Sequence, residues 1–150
     1  MKLTGSYSIP AAREQVFAAL VDPDVLGRCM DGAESLVGCG DGEYTVQLRL
    51  GVGPFKGSYS GRVRLSDEVP PERFVLHVEG KGTPGFVRGR ADIQLDERDA
   101  VTTVTCQADG QVGGLIAAVG SRLIEAAGRT MMDRFFDALR VQVMQSSAKA

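Results

Sequence analysis

The strongest constraint on this chain lies near its C-terminal end. Over residues 114 to about 144, apolar side chains recur at helical spacing: Val119, Leu123, Ala127, Met131, Phe135, Leu139 and Val143. A polar stripe of Arg122, Glu125, Arg129, Asp133, Asp137 and Arg140 runs beside them, three or four residues apart. The pattern predicts one long helix with a broad apolar face. Such a face must be buried, so the rest of the chain has to supply an apolar surface large enough to receive it. The polar stripe mixes Arg with Asp and Glu, whereas a helix lying on a membrane is usually rich in Lys and Arg there; packing on a core is the stronger reading.

The receiving surface is written in the residues before the helix. Lys2–Ile9 alternates, with Leu3, Gly5, Tyr7 and Ile9 on one side and Lys2, Thr4, Ser6 and Ser8 on the other, as in a half-buried strand. Pro10 then opens a short helix over residues 12–20. Asp22-Pro23 predicts an N-cap followed by Pro at the first position of a second small helix over residues 23–29, ending near Gly32. From Tyr44 the period is two. Tyr44, Val46, Leu48 and Leu50 face one way, then Phe55, Gly57, Tyr59, Gly61, Val63 and Leu65. Pro70-Pro71 interrupts, and Phe74, Leu76 and Val78 begin again. Val87, Gly89, Ala91, Ile93 and Leu95, then Thr102, Val104, Cys106 and Ala108, complete the set. This predicts an antiparallel meander with one wet and one dry face. The fold class is α+β: a curved antiparallel sheet wrapped around a long C-terminal helix, with two short helices after the first strand. The 150 residues suit one domain spanning 1–150, with a polar end from 145 expected to fray.

The stretch GVGPFKG, residues 51–57, has the look of a phosphate loop. A P-loop needs Gly-Lys-Ser/Thr feeding a helix, but here Lys56 precedes Gly57 and a strand follows. A dinucleotide fingerprint fails on the same grounds, which leaves a hairpin turn closed by Pro54. Glycines within the strands are more informative. Gly57, Gly61, Gly80 and Gly89 fall on the dry side with Ala91, Cys106 and Ala108. Either they let the sheet coil tightly around the helix, or they leave a hollow walled by large apolar groups, which suits a small hydrophobic ligand.

Several chemistries are excluded or weakened. The net charge of −2, with Lys and Arg scattered, gives no footprint for nucleic acid. One histidine, His77, on a wet strand face, does not make a zinc site or a nucleophile's base. Asp22, Asp24, Asp31 and Glu34 cluster in sequence, but helix caps and turns account for Asp22 and Asp31 better than a catalytic acid pair does. Three cysteines, none in a C-x-x-C pair, argue against a disulfide framework and for a reducing cytoplasm; Cys29 and Cys39 read as small, partly buried residues. The opening MKLTGSYSIP has no apolar core of a signal peptide, and Gly120 and Arg122 interrupt the longest apolar run, so no membrane span is expected.

The element order resembles the helix-grip fold of the START-like (SRPBCC) superfamily. Within it, KLTGSYSIPAAREQVFAALVDPDVL, CMDGAESL, GPFKGSYSGRVRLSD, VEGKGTPGFVRGRADIQL and DGQVGGLIAAVGSRLIEAAGRTMMDRFFDAL resemble the G-subunit family of carbon monoxide dehydrogenase. The likeness covers nearly the whole chain, and GPFKG together with GFVRGRA and QVGGLIAAVGSRLI carries most of its specificity. Where that family often has Ile-Pro, this chain has Met30-Asp31, at the mouth of the expected pocket.

The resemblance implies a deep cavity between sheet and helix. It also implies an accessory role beside molybdenum-containing hydroxylases of the carbon monoxide dehydrogenase type, recruiting or coupling such an enzyme to the membrane by handling a quinone-like or lipid-like molecule. Membrane-attached members tend to carry a further tail, and none is evident after Ala150. The expectation is therefore a non-enzymatic, cytoplasmic binding protein with no cofactor. Its partners would be a quinone or lipid and molybdenum hydroxylase subunits, with no nucleic acid and at most indirect contact with the inner face of the membrane. The expected walls are Leu48, Leu50, Phe55, Tyr59, Val63, Phe74, Leu76, Val119, Leu123, Met131 and Phe135, with Gly61 as the small residue among them, Tyr59 as the polar handle, and Gly61→Leu as the change that fills the space. Two rivals remain: a cavity enzyme of the cyclase or hydrolase kind, and a pure protein-interaction module.

Overall fold

The computed structural model describes residues 1–149 other than Asp31, with side chains described as far as Ser146. The strands are β1 (Lys2–Ile9), β2 (Ala33–Gly40), β3 (Glu43–Leu50), β4 (Gly57–Val69), β5 (Arg73–Gly82), β6 (Gly85–Arg98) and β7 (Val101–Gly113). The helices are α1 (Arg13–Leu20), α2 (Pro23–Cys29) and α3 (Ser121–Lys149). The seven strands form one antiparallel sheet in the order β1-β7-β6-β5-β4-β3-β2. β1 therefore pairs with the last strand, Leu3 opposite Ala108 and Tyr7 opposite Val104, and ties the two ends of the chain together.

The local signals act as expected. The Asp22 side chain accepts from the Asp24 backbone N–H at 2.9 Å, and Pro23 follows in the first turn of α2. Alternation along β3 to β7 puts Val46, Leu50, Tyr59, Val63, Leu65, Ile93, Leu95, Val104 and Cys106 inside. Three expectations shift. GPF in GVGPFKG forms a 3-10 turn (Gly53–Phe55) between β3 and β4, and Pro54 opens that turn instead of closing a hairpin. β2 has no counterpart in the sequence pattern. The single long helix is divided: Gly114–Val119 is a 3-10 turn, and α3 starts only after Gly120, whose φ of 95° admits glycine at little cost. Of the cysteines, Cys29 and Cys106 are buried and Cys39 is exposed, and all three are free. Asp31, expected in a turn and as part of the departure from the family pattern, and Ala150 lie outside the described residues, and residues 145–149, expected to fray, continue α3.

The core has two parts. The larger holds Ile9, Val16, Phe17, Leu20, Phe74, Leu95, Val104, Leu139 and Val143, where α1, α2 and the far half of α3 meet the sheet. The smaller holds Leu50, Phe55, Tyr59, Ile116, Ile124 and Ala127, around the two 3-10 turns and the start of α3. Polar groups fasten α3 to β1 between them. Tyr7 donates to Asp133 Oδ1 at 2.6 Å, its ring stacks on Phe136 at 4.3 Å, and Arg129 donates to the Thr4 carbonyl at 3.0 Å.

Candidate functional site

Between the two core parts the sheet runs out of large side chains. Ala91 stands opposite Ala108, and Gly80 opposite Val87. A hollow of about 310 Å³ opens there between the sheet and α3. Its size lies at the lower end of the range for small-molecule pockets. Sheet residues Leu48, Leu50, Tyr59, Leu76, Val78, Ala91 and Ile93 form one side, and Met131, Met132, Phe135 and Phe136 of α3 the other. Met1 and Leu3 close it beside β7, where a smaller apolar hollow of about 180 Å³ adjoins. On α3, Gly128 lets the helix come down onto β1: a Cβ there would stand 3.0 Å from Leu3 Cδ1.

Of the residues expected to wall a cavity, Leu48, Leu50, Phe55, Tyr59, Leu76, Met131 and Phe135 are brought together around this hollow. Five lie elsewhere. Val63 is buried on the same sheet face but stands outside the lining. Phe74 packs edge-on against Phe17 of α1, ring centroids 5.6 Å apart, in the larger core. Val119, in the 3-10 turn before Gly120, is 42% exposed, and Leu123, in the first turn of α3, is 57% exposed. The expected face of the helix holds from Ala127 onward, through Met131, Phe135, Leu139 and Val143, but in its first turn Ile124 points inward in place of Leu123. Gly61 does not line the hollow; a Cβ there would run into the carbonyl oxygen of Glu79, a backbone atom that cannot give way. Close strand approach is the reason for this glycine. Gly80, opposite it, is different: a Cβ there would meet only Tyr59 Cβ, at 3.9 Å. Val78, Gly80, Ala91 and Ala108 were all legible as dry-face residues, whereas Met132 and Phe136 widen the inward face of α3 beside the expected Met131 and Phe135.

The chemistry of the lining is spare. The Tyr59 hydroxyl already donates to the Phe55 carbonyl at 2.8 Å, so toward a ligand it can only accept. Burial raises its pKa. Burial, with a smaller effect of the Asp92 charge, pushes the Cys106 thiol up to about 11, which keeps it protonated and weakly nucleophilic at neutral pH. His77 lies on the outer face, its Nε2 2.9 Å from Ser66 Oγ. Among the described residues no group of three His, Cys, Asp or Glu side chains could hold a metal ion, and no helix is long and apolar enough to cross a membrane.

Comparison with known proteins gives the family and the fold. The family model for the G subunit of carbon monoxide dehydrogenase (CoxG) matches residues 5–144. The chain belongs to that family. Among solved structures it is similar to a conserved protein from Geobacillus kaustophilus, at 31% identity over 97% of both chains with a TM-score of 0.94. It is similar in fold to TTHA0849 from Thermus thermophilus (14% identity, 98% of this chain and 99% of that one, TM-score 0.75). A START superfamily protein from Mycobacterium smegmatis also shares the fold (9% identity, 96% and 97%, TM-score 0.73). Comparison with curated proteins gives no match. The helix-grip architecture is thus that of the START-like proteins, and the CoxG family is an accessory one.

Proposed function

We propose that this member of the CoxG family is a non-enzymatic binding protein whose cavity takes a quinone-like or lipid-like molecule. It would serve a molybdenum hydroxylase of the carbon monoxide dehydrogenase type by coupling that enzyme to the inner face of the membrane. The observation that carries the reading is the hollow between sheet and α3, with walls of carbon supplied by Leu, Val, Met and Phe side chains. Affinity would come from burying apolar area at about 25 cal/mol per Å² before the costs of association. The lining supports binding over catalysis: Cys106 stays protonated at neutral pH, the Tyr59 donor is occupied, and His77 faces away. The family name supplies the link to the dehydrogenase.

Native mass spectrometry of the purified protein, followed by organic extraction, tests the reading. One apolar molecule per chain is the expected result. A chain that is empty and also ignores added quinones and phospholipids would sink it.

A further inference from the structure

The outer face of the sheet carries a second hollow, of about 640 Å³, lined by charged, polar and apolar groups together. It spans β3 to β6 and is walled by Gln47, Arg62, Glu79, Lys81, Phe86 and Arg88 among others. A smaller one of about 220 Å³ continues it past Arg62, Arg64, His77 and Arg88. The register explains the arrangement. Arg62 stands opposite Glu79, which stands opposite Arg88; one step along, Arg64 stands opposite His77, which stands opposite Arg90. Two rows of guanidinium groups therefore flank the central column of β5. The rows are two strand spacings apart, about 10 Å, and members of a row are about 7 Å apart.

These charges are mostly unanswered within the chain. Arg90 pairs with Asp92 at 3.0 Å and Arg88 donates to Gln111 Oε1 at 2.9 Å, but among the described residues Arg62, Arg64 and Lys81 make no ion pair. Glu79 and Glu43 are the carboxylates in the two hollows. Four arginines thus stand together on the outer face, with Glu43 opposite Arg64 and Asp109 opposite Arg90 as flanking carboxylates. His77 reports the resulting field: after burial, Arg64 and Arg90 lower its pKa, against the opposing effects of Asp67 and Asp92.

We propose that this groove docks an extended acidic segment of a partner protein. A chain lying over β5 sends alternate side chains left and right, so its carboxylates reach the Arg62/Arg64 row on one side and the Arg88/Arg90 row on the other. Extended residues two apart repeat at about the spacing of each row. Glu79, beneath the segment, accepts a backbone N–H from it, and Phe86 gives an apolar stop at one end. A single phosphate cannot span both rows. Guanidinium forks suit carboxylates in a bidentate geometry.

The test is titration of the full chain with the peptide acetyl-(Glu-Ser)4-amide at low ionic strength, read by calorimetry and by the NMR titration of His77. Because His77 is the only histidine, its signal is unambiguous. The expected results are saturable binding that salt weakens, a rise in the His77 pKa as carboxylates offset Arg64 and Arg90, and an affinity about tenfold lower in Arg62→Gln/Arg88→Gln. Arg122→Gln/Arg140→Gln on α3 is the charge-matched control and should bind as wild type. All four side chains are solvent-facing, and circular dichroism checks the fold. The proposal is overturned if the peptide does not bind, if both double variants lose affinity equally, or if inorganic phosphate or phosphatidylglycerol vesicles bind through Arg62 and Arg88 while the peptide does not. The result is independent of cavity occupancy, so an empty cavity with a docking peptide would leave this inference standing.

Discussion

Gly61 and Gly80 face each other across β4 and β5 on the same side of the sheet, yet they do opposite things. At Gly61 a methyl group would strike the Glu79 backbone carbonyl; at Gly80 it would enter free space beside Tyr59. Gly61→Ala should therefore cost about 2 kcal/mol or more, because strand backbone has to move. Gly80→Val should change stability by less than about 1 kcal/mol, since a β-branched residue suits a strand. It should also lower the affinity for an added quinone about tenfold or more by occupying the hollow. Chemical denaturation and ligand titration of both variants separate the two effects. If Gly80→Val binds as well as wild type, the ligand does not use this hollow. Nothing in the sequence separates the two glycines. Alternation places both on the dry face, and only the coiling of paired strands decides which has room.

Among the elements, α3 shows what periodicity can and cannot say. Its existence and its position across the sheet were legible, because no other segment could cover the dry face. Its phase in the first turn was not. The apolar arc is wide, including Leu123, Ile124, Met131, Met132, Phe135 and Phe136, and any of several rotations satisfies it. What fixes the rotation is specific: Gly128 against Leu3, Phe136 on Tyr7, and Asp133 accepting from the Tyr7 hydroxyl. Residues that read as a solvated stripe thus fasten the helix. β2 escaped for the converse reason. It is an edge strand, with Glu34, Ser35, Val37, Gly38 and Cys39 exposed, and shows no alternation to detect. In urea unfolding, Leu139→Ala, which empties a fully buried site, should cost about 2–5 kcal/mol. Asp133→Ala should cost only about 0.5–1 kcal/mol, because its hydrogen bond is exposed to water. Equal losses would mean that the polar clamp holds α3 as strongly as its buried apolar face does.

At the scale of the molecule, the hollow separates two packed regions that share α3. One end of the helix, from Ile124 to Ala127, belongs to the smaller core; the other, from Phe136 to Val143, belongs to the larger. The segment between them faces the hollow through Gly128, Met131, Met132 and Phe135. A molecule bound there completes the packing of that segment, whereas Leu139 and Val143 keep their protein neighbours whether or not it is present. Stripping the ligand should therefore act unevenly. For a ligand held at about a hundred times its Kd, removal should lower stability by about 2.7 kcal/mol, or about 5–10 °C in Tm for a chain of this size. Hydrogen exchange should accelerate in residues 128–135 of α3, with residues 139–143 changing least. Exchange on extracted and reloaded protein makes the comparison. A uniform rise along α3 would show that the two packed regions open together, and that the hollow is no more than a gap in a single cooperative core.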